Sequence, residues 1–144
     1  MKLEEILNEW SNDSKIDRVE ISNESLSISQ LHNKYLRIMT AESVILRSLT
    51  QEYNKLYKLK WEYYLGILDD ETLRERNWVP MGLKILKQDM DIYLNSDDDL
   101  SKLKMRQEMQ KEKLSVLDSI MKSISNRGFQ IKNYIDYERF KVGA

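Results

Sequence analysis

The sequence contains no cysteine, one proline and four glycines among its 144 residues. Without cysteine, disulfide bonds and thiolate metal sites are excluded, which fits a reducing cytoplasm. Proline and glycine, which break helices, are rare, and 41% of the residues are hydrophobic and 33% charged. This composition is typical of a helix-rich protein with a modest core. No apolar run approaches the ~18 residues of a membrane span, and the acidic start MKLEEILNEW lacks the apolar run of a signal peptide.

The motifs of common enzyme classes are missing as well. The single histidine, His32, has no cysteine or second histidine with which to share a metal. The sequence has no glycine-rich phosphate loop, no GKS/T motif and no Ser–His–Asp setting. We therefore predict no catalytic residue, no metal site and no cofactor. In NSDDDL, Ser96 or Asp97 is expected to cap the helix that follows.

The formal net charge of −1 conceals charged blocks of alternating sign. Residues 1–25, 26–60, 61–100 and 101–144 carry net charges of −4, +4, −6 and +5. A chain with almost no net charge still has a locally positive field that attracts polyanions. The same blocks are equally compatible with pairing inside the fold or between subunits, so charge alone leaves both interpretations open.

A long helix is the most strongly patterned element of the sequence. From about Ser25 to Tyr64, apolar residues recur at alternating spacings of three and four, as in coiled-coil-like packing. Gly66 is expected to end this helix. Because so long a seam cannot be buried against itself, we predict an all-α fold with a long helical hairpin or bundle.

Four further elements follow in the second half of the chain. A short helix is predicted before Pro80, and an amphipathic helix over residues 81–94. A second long helix is predicted to run to about Asn126, with Gly128 as its left-handed cap. The last helix, residues 129–140, is apolar on two opposite faces. We predict that it packs between neighbouring subunits; the alternative is deep burial within its own subunit.

The stretch YNKLYKLKWEYYLG, residues 53–66, mixes aromatic and basic residues most densely. On a helical wheel, Tyr53, Tyr57, Trp61 and Tyr64 form one stripe beside the leucine seam. Rings that stack on bases and ammonium groups that neutralise phosphates are what a sequence-neutral single-strand binder needs. The competing interpretation is that the stripe is core and the lysines are solvated. Lys58 and Lys60 lie about 200° apart, so one flat surface cannot use both.

Several motifs carry a resemblance to a known family. They are MKLEE and the pair Ile16–Asp17 near the start, LKWEYYLG at Leu59–Gly66, and NRGFQIK near the end. On these motifs the chain resembles the UvsY recombination mediators of T-even-type bacteriophages. Lys58 and Lys60 match the two basic positions of the family motif associated with binding single-stranded DNA. The sequence departs from it at Lys60, where arginine is usual, and at Trp61, where leucine is usual, and residues 67–110 match poorly.

The resemblance implies a non-enzymatic protein that acts in the infected bacterial cytoplasm as a homo-oligomeric ring of six or seven subunits. It implies that the ring binds single-stranded DNA and hands it from the phage single-strand-binding protein to a UvsX-like recombinase. Residues 1–126 are then the DNA-binding region and residues 127–144 the assembly helix. The predicted DNA contacts are Lys55, Tyr57, Lys58, Lys60, Trp61 and Tyr64, and the predicted assembly residues are Phe129, Ile131, Tyr134, Ile135 and Phe140.

A rival hypothesis from another class remains. A structural coiled-coil adaptor would use the same basic and acidic blocks to bind protein partners and would never contact DNA. Counterion release separates the two hypotheses, because only phosphate contacts make binding to a strand steeply dependent on salt.

Overall fold

A computed structural model describes residues 1–143, and in this range the chain is helical and contains no strand. The predicted all-α class is confirmed. None of the helices in this range is long and apolar enough to cross a membrane. In chain order the helices are α1 (Leu3–Asp13), α2 (Ile21–Leu26), α3 (Ile28–Leu65), α4 (Asp70–Arg76), α5 (Met90–Asn95) and α6 (Asp98–Lys141), with a 3₁₀ turn at Lys87–Asp89 before α5.

The predicted long helix is confirmed as α3, a helix of 38 residues. It begins after Ser27, whose hydroxyl donates to the Glu24 carbonyl and closes the short helix α2. It ends at Gly66, which has a φ of 74°. A Cβ atom on Gly66 would lie 3.2 Å from the Lys84 side chain. Backbone conformation and space therefore both favour glycine at this position.

The chain divides into two compact units, each of which contains part of α3 and part of α6. The first unit comprises residues 1–44 and the chain from Lys111 onward, and the second comprises Ile45–Gln110. In the first unit α1, α3 and α6 share one core, where the Trp10 ring meets the Tyr35 ring edge-on at 5.5 Å. The buried residues of this first core are Ile6, Tyr35, Leu117, Ile120 and Ile124.

The second unit has its own core, formed by Met90, Leu94 and Leu100. We call these three residues the second core. Aromatic residues of α3 pack against it. At its edge the Asp97 carboxylate accepts a hydrogen bond of 3.0 Å from the Leu100 N–H. The predicted cap of the second long helix is thus confirmed, with Asp97 as the capping residue.

The helix predicted over residues 81–94 is wrong in its first part. Residues 81–86 are not helical, and the regular helix is limited to α5. The Ile85 N–H instead donates to the Tyr64 carbonyl at 3.0 Å. That carbonyl belongs to the last turn of α3, where no later N–H of the helix is available to it. Pairing with a distant helix end therefore overrides the local apolar periodicity.

The predicted break near Asn126 is also wrong, because α6 continues through Gly128 as one helix of 44 residues. A glycine inside a helix costs only about 1 kcal/mol relative to alanine. The contacts of Arg127 and Ile131, which lie before and after Gly128 in the helix, outweigh this cost. The buried Arg127 guanidinium donates to the carbonyls of Ser14 and Lys15, at 3.2 and 2.8 Å, and Ile131 is also buried. The assembly role of residues 127–144 stays a prediction.

The two glycines give opposite expectations for substitution by alanine. A Cβ on Gly128 would meet only Ile28, at 4.0 Å, so Gly128→Ala should stabilise the fold by about 0.5–1 kcal/mol. Gly66→Ala should destabilise it by about 1 kcal/mol or more, because it combines a positive φ with a close contact. Urea unfolding of the two variants checks both signs. If Gly128→Ala destabilises the fold, the helix ends at Gly128 in a left-handed conformation, as the sequence predicted.

Candidate nucleic-acid interface

The aromatic stripe of α3 lies on the side that faces the second core. Tyr57, Trp61 and Tyr64 are half-buried and pack against that core. Successive rings contact each other at a tilt, with the centroids of Tyr57 and Trp61 6.5 Å apart. Burying such large apolar surfaces is a main source of stability in a unit of this size. Packing therefore accounts for most of the stripe that the sequence predicted as a base-stacking surface.

Lys60 lies in the interior and not at a surface. Its residue is 5% exposed, and its Nζ lies 3.1 Å from Asp97 Oδ2 and 2.8 Å from Asp99 Oδ2. The same Nζ stands 4.1 Å from the centroid of the Trp78 ring. A buried ammonium group is retained only where carboxylates compensate for its lost hydration. The contact of Lys60 with phosphate stays a prediction, and the two carboxylates that already neutralise its charge inside the unit weigh against it.

Tyr64 and Asp97 complete this buried cluster. The Tyr64 hydroxyl donates to Asp97 Oδ2 at 2.6 Å. Burial, reinforced by this hydrogen bond, raises the pKa of Tyr64 above its usual range. Burial pushes the pKa of Asp97 upward, but hydrogen bonds from Tyr64, the Leu100 N–H and Lys60 outweigh it and leave the pKa lowered. The stability contributed by ionised Asp97 is thus present at neutral pH and is lost as the pH falls below its ordinary pKa of 3.8.

Lys55 and Lys58 lie on an exposed side of α3. Lys58 has a side chain that is 79% exposed and a single carboxylate neighbour, Glu62, at 4.0 Å. Lys55 makes no hydrogen bond or ion pair within residues 1–143. Exposed pairs at such distances contribute little, so both ammonium groups are available to a polyanion.

Sequence reasoning missed a third cation on the same side. With Lys55 at zero on the wheel, Lys58, Gln51 and Arg47 fall within about 80° of it. All four are exposed, and Arg47 has no ion pair within the described residues. We call Arg47, Gln51, Lys55 and Lys58 the lysine face. The spacing of positions 47, 51, 55 and 58 predicts this exposed side of the helix, because all four fall on one side of the wheel.

The last turns of α6 carry the two apolar faces that the sequence predicted. One face is occupied within the same chain: Ile131 is buried, and with Tyr134 it lines a pocket of about 320 Å³ beside Ile16 and Ile21. Ile135 is half-buried. On the opposite face Phe129 is 69% exposed and Phe140 79% exposed, and Tyr137 is exposed as well. Burial within the subunit, the alternative to packing between subunits, thus applies to one face only, and the role of the other face in assembly stays a prediction.

No group of three or more histidine, cysteine, aspartate or glutamate side chains within residues 1–143 could hold a metal ion. His32 is exposed on α3.

A family of known proteins matches almost the whole chain. Residues 9–144 match the family described as "Recombination, repair and ssDNA binding protein UvsY". The chain belongs to the UvsY family. The resemblance read from the sequence is confirmed, and with it the assignment to recombination, repair and single-stranded-DNA-binding proteins.

Solved structures of the family have the same fold. One crystal structure of the bacteriophage T4 recombination mediator protein UvsY, in lattice type IV, gives a TM-score of 0.86 at 21% identity, covering 97% of this chain and 99% of that one. A second, in lattice type II, gives 0.86 at 22% identity, covering 99% and 98%. No curated protein sequence matches the chain.

Lys58 and Lys60 both match the UvsY motif, but removal of the two side chains should change the stability of the fold by very different amounts. Lys60→Ala leaves Asp97 buried without its cation and should cost about 3–5 kcal/mol of stability. Lys58→Ala, at an exposed position, should change stability by no more than about 0.5 kcal/mol. Thermal and urea unfolding check both values. Pairing Lys60→Met with Asp97→Asn should recover part of the loss; equal effects of Lys58→Ala and Lys60→Ala would contradict the buried pair.

Proposed function

We propose that this chain is a recombination mediator that binds single-stranded DNA through the lysine face of α3. Membership of a single-stranded-DNA-binding family supports the activity. The observation that carries the location is the set of three exposed cations, Arg47, Lys55 and Lys58, on one side of one helix. Cations of this kind displace the counterions condensed on a phosphate backbone, which gives affinity without sequence preference.

The proposed surface keeps three of the six DNA contacts predicted from the sequence. Lys55 and Lys58 contact phosphates, and Trp61 borders the lysine face about 60° from Lys58 on the wheel. Tyr57 and Tyr64 lie farther round the helix and serve to hold α3 against the second core. Lys60 is excluded because a strand would have to compete with two carboxylates for its charge.

In this proposal the protein acts in the cytoplasm of the infected bacterial cell as a non-enzymatic accessory factor. It takes single-stranded DNA covered by the phage single-strand-binding protein and loads a UvsX-like recombinase onto it. Copies of the chain assemble into a homo-oligomeric ring through the last turns of α6. The exposed rings of Phe129, Tyr137 and Phe140 support this role, because three large aromatic side chains left in water on one side of a helix provide the apolar anchors of a protein contact.

A salt titration of strand binding tests the proposed surface. Replacing both Lys55 and Lys58 by alanine should weaken binding to a thymidine oligonucleotide and reduce the slope of log affinity against log salt by about 0.7 per lost phosphate contact. Lys15→Ala with Lys122→Ala, which removes the same charge from exposed positions of the first unit, is the matched control. The control should leave the slope unchanged.

The same titration separates the adaptor hypothesis from DNA binding. An adaptor would show no steep salt dependence with any strand, even as the wild-type chain. If the wild type shows a steep salt dependence and the Lys55 and Lys58 variant shows the same slope, the chain binds DNA through a surface other than the lysine face.

Assembly should depend on the outer face of the last turns of α6. Replacing Phe129, Tyr137 and Phe140 together by serine should dissociate the oligomer while leaving the helical content intact, because the three side chains lie outside both cores. Sedimentation velocity measures the change in mass. Val19→Ser with Leu26→Ser removes equally exposed apolar groups elsewhere and should leave the oligomer whole. An unaltered mass for the triple variant would place the interface elsewhere.

A further inference from the structure

We propose that a pocket beside Trp78 is a stacking site for a single nucleobase of the bound strand. The pocket has a volume of about 340 Å³ and is lined by Asp70, Leu73, Arg74, Trp78 and Pro80. Small-molecule sites begin at about 300 Å³, so this volume suits one planar ring system and not a helix or a folded partner. The inference rests on the proposed function and adds a base-binding component to it.

The walls of the pocket provide the surface that a base requires. Trp78 is half-buried, so part of its ring remains open to the pocket, and Pro80 presents a second flat apolar surface. Every nucleobase has a π-face, so a ring of this kind accepts any base. Trp78 also has a fixed position, because the ring of Tyr63 lies 5.3 Å away and Lys60 Nζ lies 4.1 Å from its centroid.

Cations at the pocket supply the phosphate contact. The Arg76 guanidinium carbon lies 5.7 Å from the centroid of the Trp78 ring, and Arg74 lines the pocket. Neither arginine pairs with a carboxylate within residues 1–143. Arg74 Nε donates only to the Asp70 carbonyl of its own helix, at 3.3 Å. Both side chains therefore remain available to the phosphates on either side of a stacked base.

The acidic residues near the pocket do not block this use. On the wheel of α4, Glu75 lies about 140° from Asp70 and about 100° from Arg74, and Glu71 lies about 100° from Asp70, although only about 60° from Arg74. Asp70 is the one carboxylate in the lining. A carboxylate accepts hydrogen bonds, and the edges of the bases present N–H donors, so Asp70 fits a base edge where it would repel a phosphate.

The pocket also lies within reach of the lysine face along α3. Tyr63, which contacts Trp78, follows Lys58 by five residues on that helix, an axial distance of about 7.5 Å. Successive phosphates of one strand in a duplex are about 3.4 Å apart along the axis, and an unstacked strand spans more. Tyr63 lies about 140° round the helix from Lys58, so a strand held at Lys58 reaches Trp78 by bending around the end of α3 and crossing the ~10–12 Å width of the helix.

Strands with and without bases test the proposal directly. Binding of the full-length wild-type chain is compared on a thymidine oligonucleotide and on an abasic deoxyribose-phosphate strand of equal length. Trp78→Leu keeps apolar bulk but removes the π-face, so it should lose about 5- to 150-fold on thymidine and nothing on the abasic strand. Trp78→Phe, which keeps a ring, should retain most of the affinity. Arg74→Gln with Arg76→Gln should weaken both strands and lower the salt slope.

The outcomes separate this inference from the proposed function. A wild-type chain that does not bind thymidine strands overturns the proposed function itself. If it binds and Trp78→Leu loses equally on both strands, Trp78 acts only through the fold; if Trp78→Leu loses nothing, no base stacks there. Either result overturns the inference alone. Sedimentation and circular dichroism of Trp78→Phe and Trp78→Leu establish that both variants assemble and fold as the wild type does.

Discussion

The buried ammonium group of Lys60 is the constraint around which the second unit is arranged. Its charge requires carboxylates, and Asp97 and Asp99 supply them from the start of α6, 37 and 39 residues further along the chain. Asp97 meets three demands at once, since it pairs with Lys60, accepts from Tyr64 and caps α6 at Leu100. The end of α3 and the beginning of α6 are thereby fixed to each other within this unit. Removing Lys60 leaves Asp97 buried without its cation, and removing Asp97 leaves both Lys60 and the Tyr64 hydroxyl short of a partner, so these two positions tolerate substitution least.

The family motif that contains Lys58 and Lys60 therefore has a structural task as well as a proposed role in binding. Lys58 and Lys60 are two residues apart and point to almost opposite sides of α3, one to water and one to carboxylates. The sequence predicts the angle between Lys58 and Lys60 on the helix. It does not show which of the two is buried, because the partners of Lys60 are distant in the chain. The aromatic stripe has the same explanation. Tyr57, Trp61 and Tyr64 are periodic in the sequence, but only the position of α5 shows that the surface they cover is the second core.

Local rules predicted the elements whose determinants are local. The long helix α3, its end at Gly66 and the Asp97 cap follow from residues within one or two turns of each other, and all three are confirmed. The errors occur where a distant contact overrides a local signal. Gly128 is a plausible helix end on its own, but Arg127 binds carbonyls 112 and 113 residues earlier and keeps α6 continuous. The segment 81–86 is periodic like a helix, but its Ile85 N–H serves the open end of α3. Arg47, the third cation of the lysine face, was missed for another reason, since a cation one turn from another is common on solvated helices.

The proposed contacts have a consequence for how a strand could be handed over. One subunit offers three cations on the lysine face and, at the pocket, one ring with two arginines, each of which contributes modestly in water. Repetition of these contacts around the proposed ring would raise the overall affinity by ~10²–10⁴ when several are made at once, without making any single contact strong. A strand bound in this way can be released from one subunit while the others still hold it. A single deep site of the same total affinity would have to release the whole strand in one step. Many weak sites on one assembly are therefore better suited to a protein that passes DNA to another protein than to one that stores it.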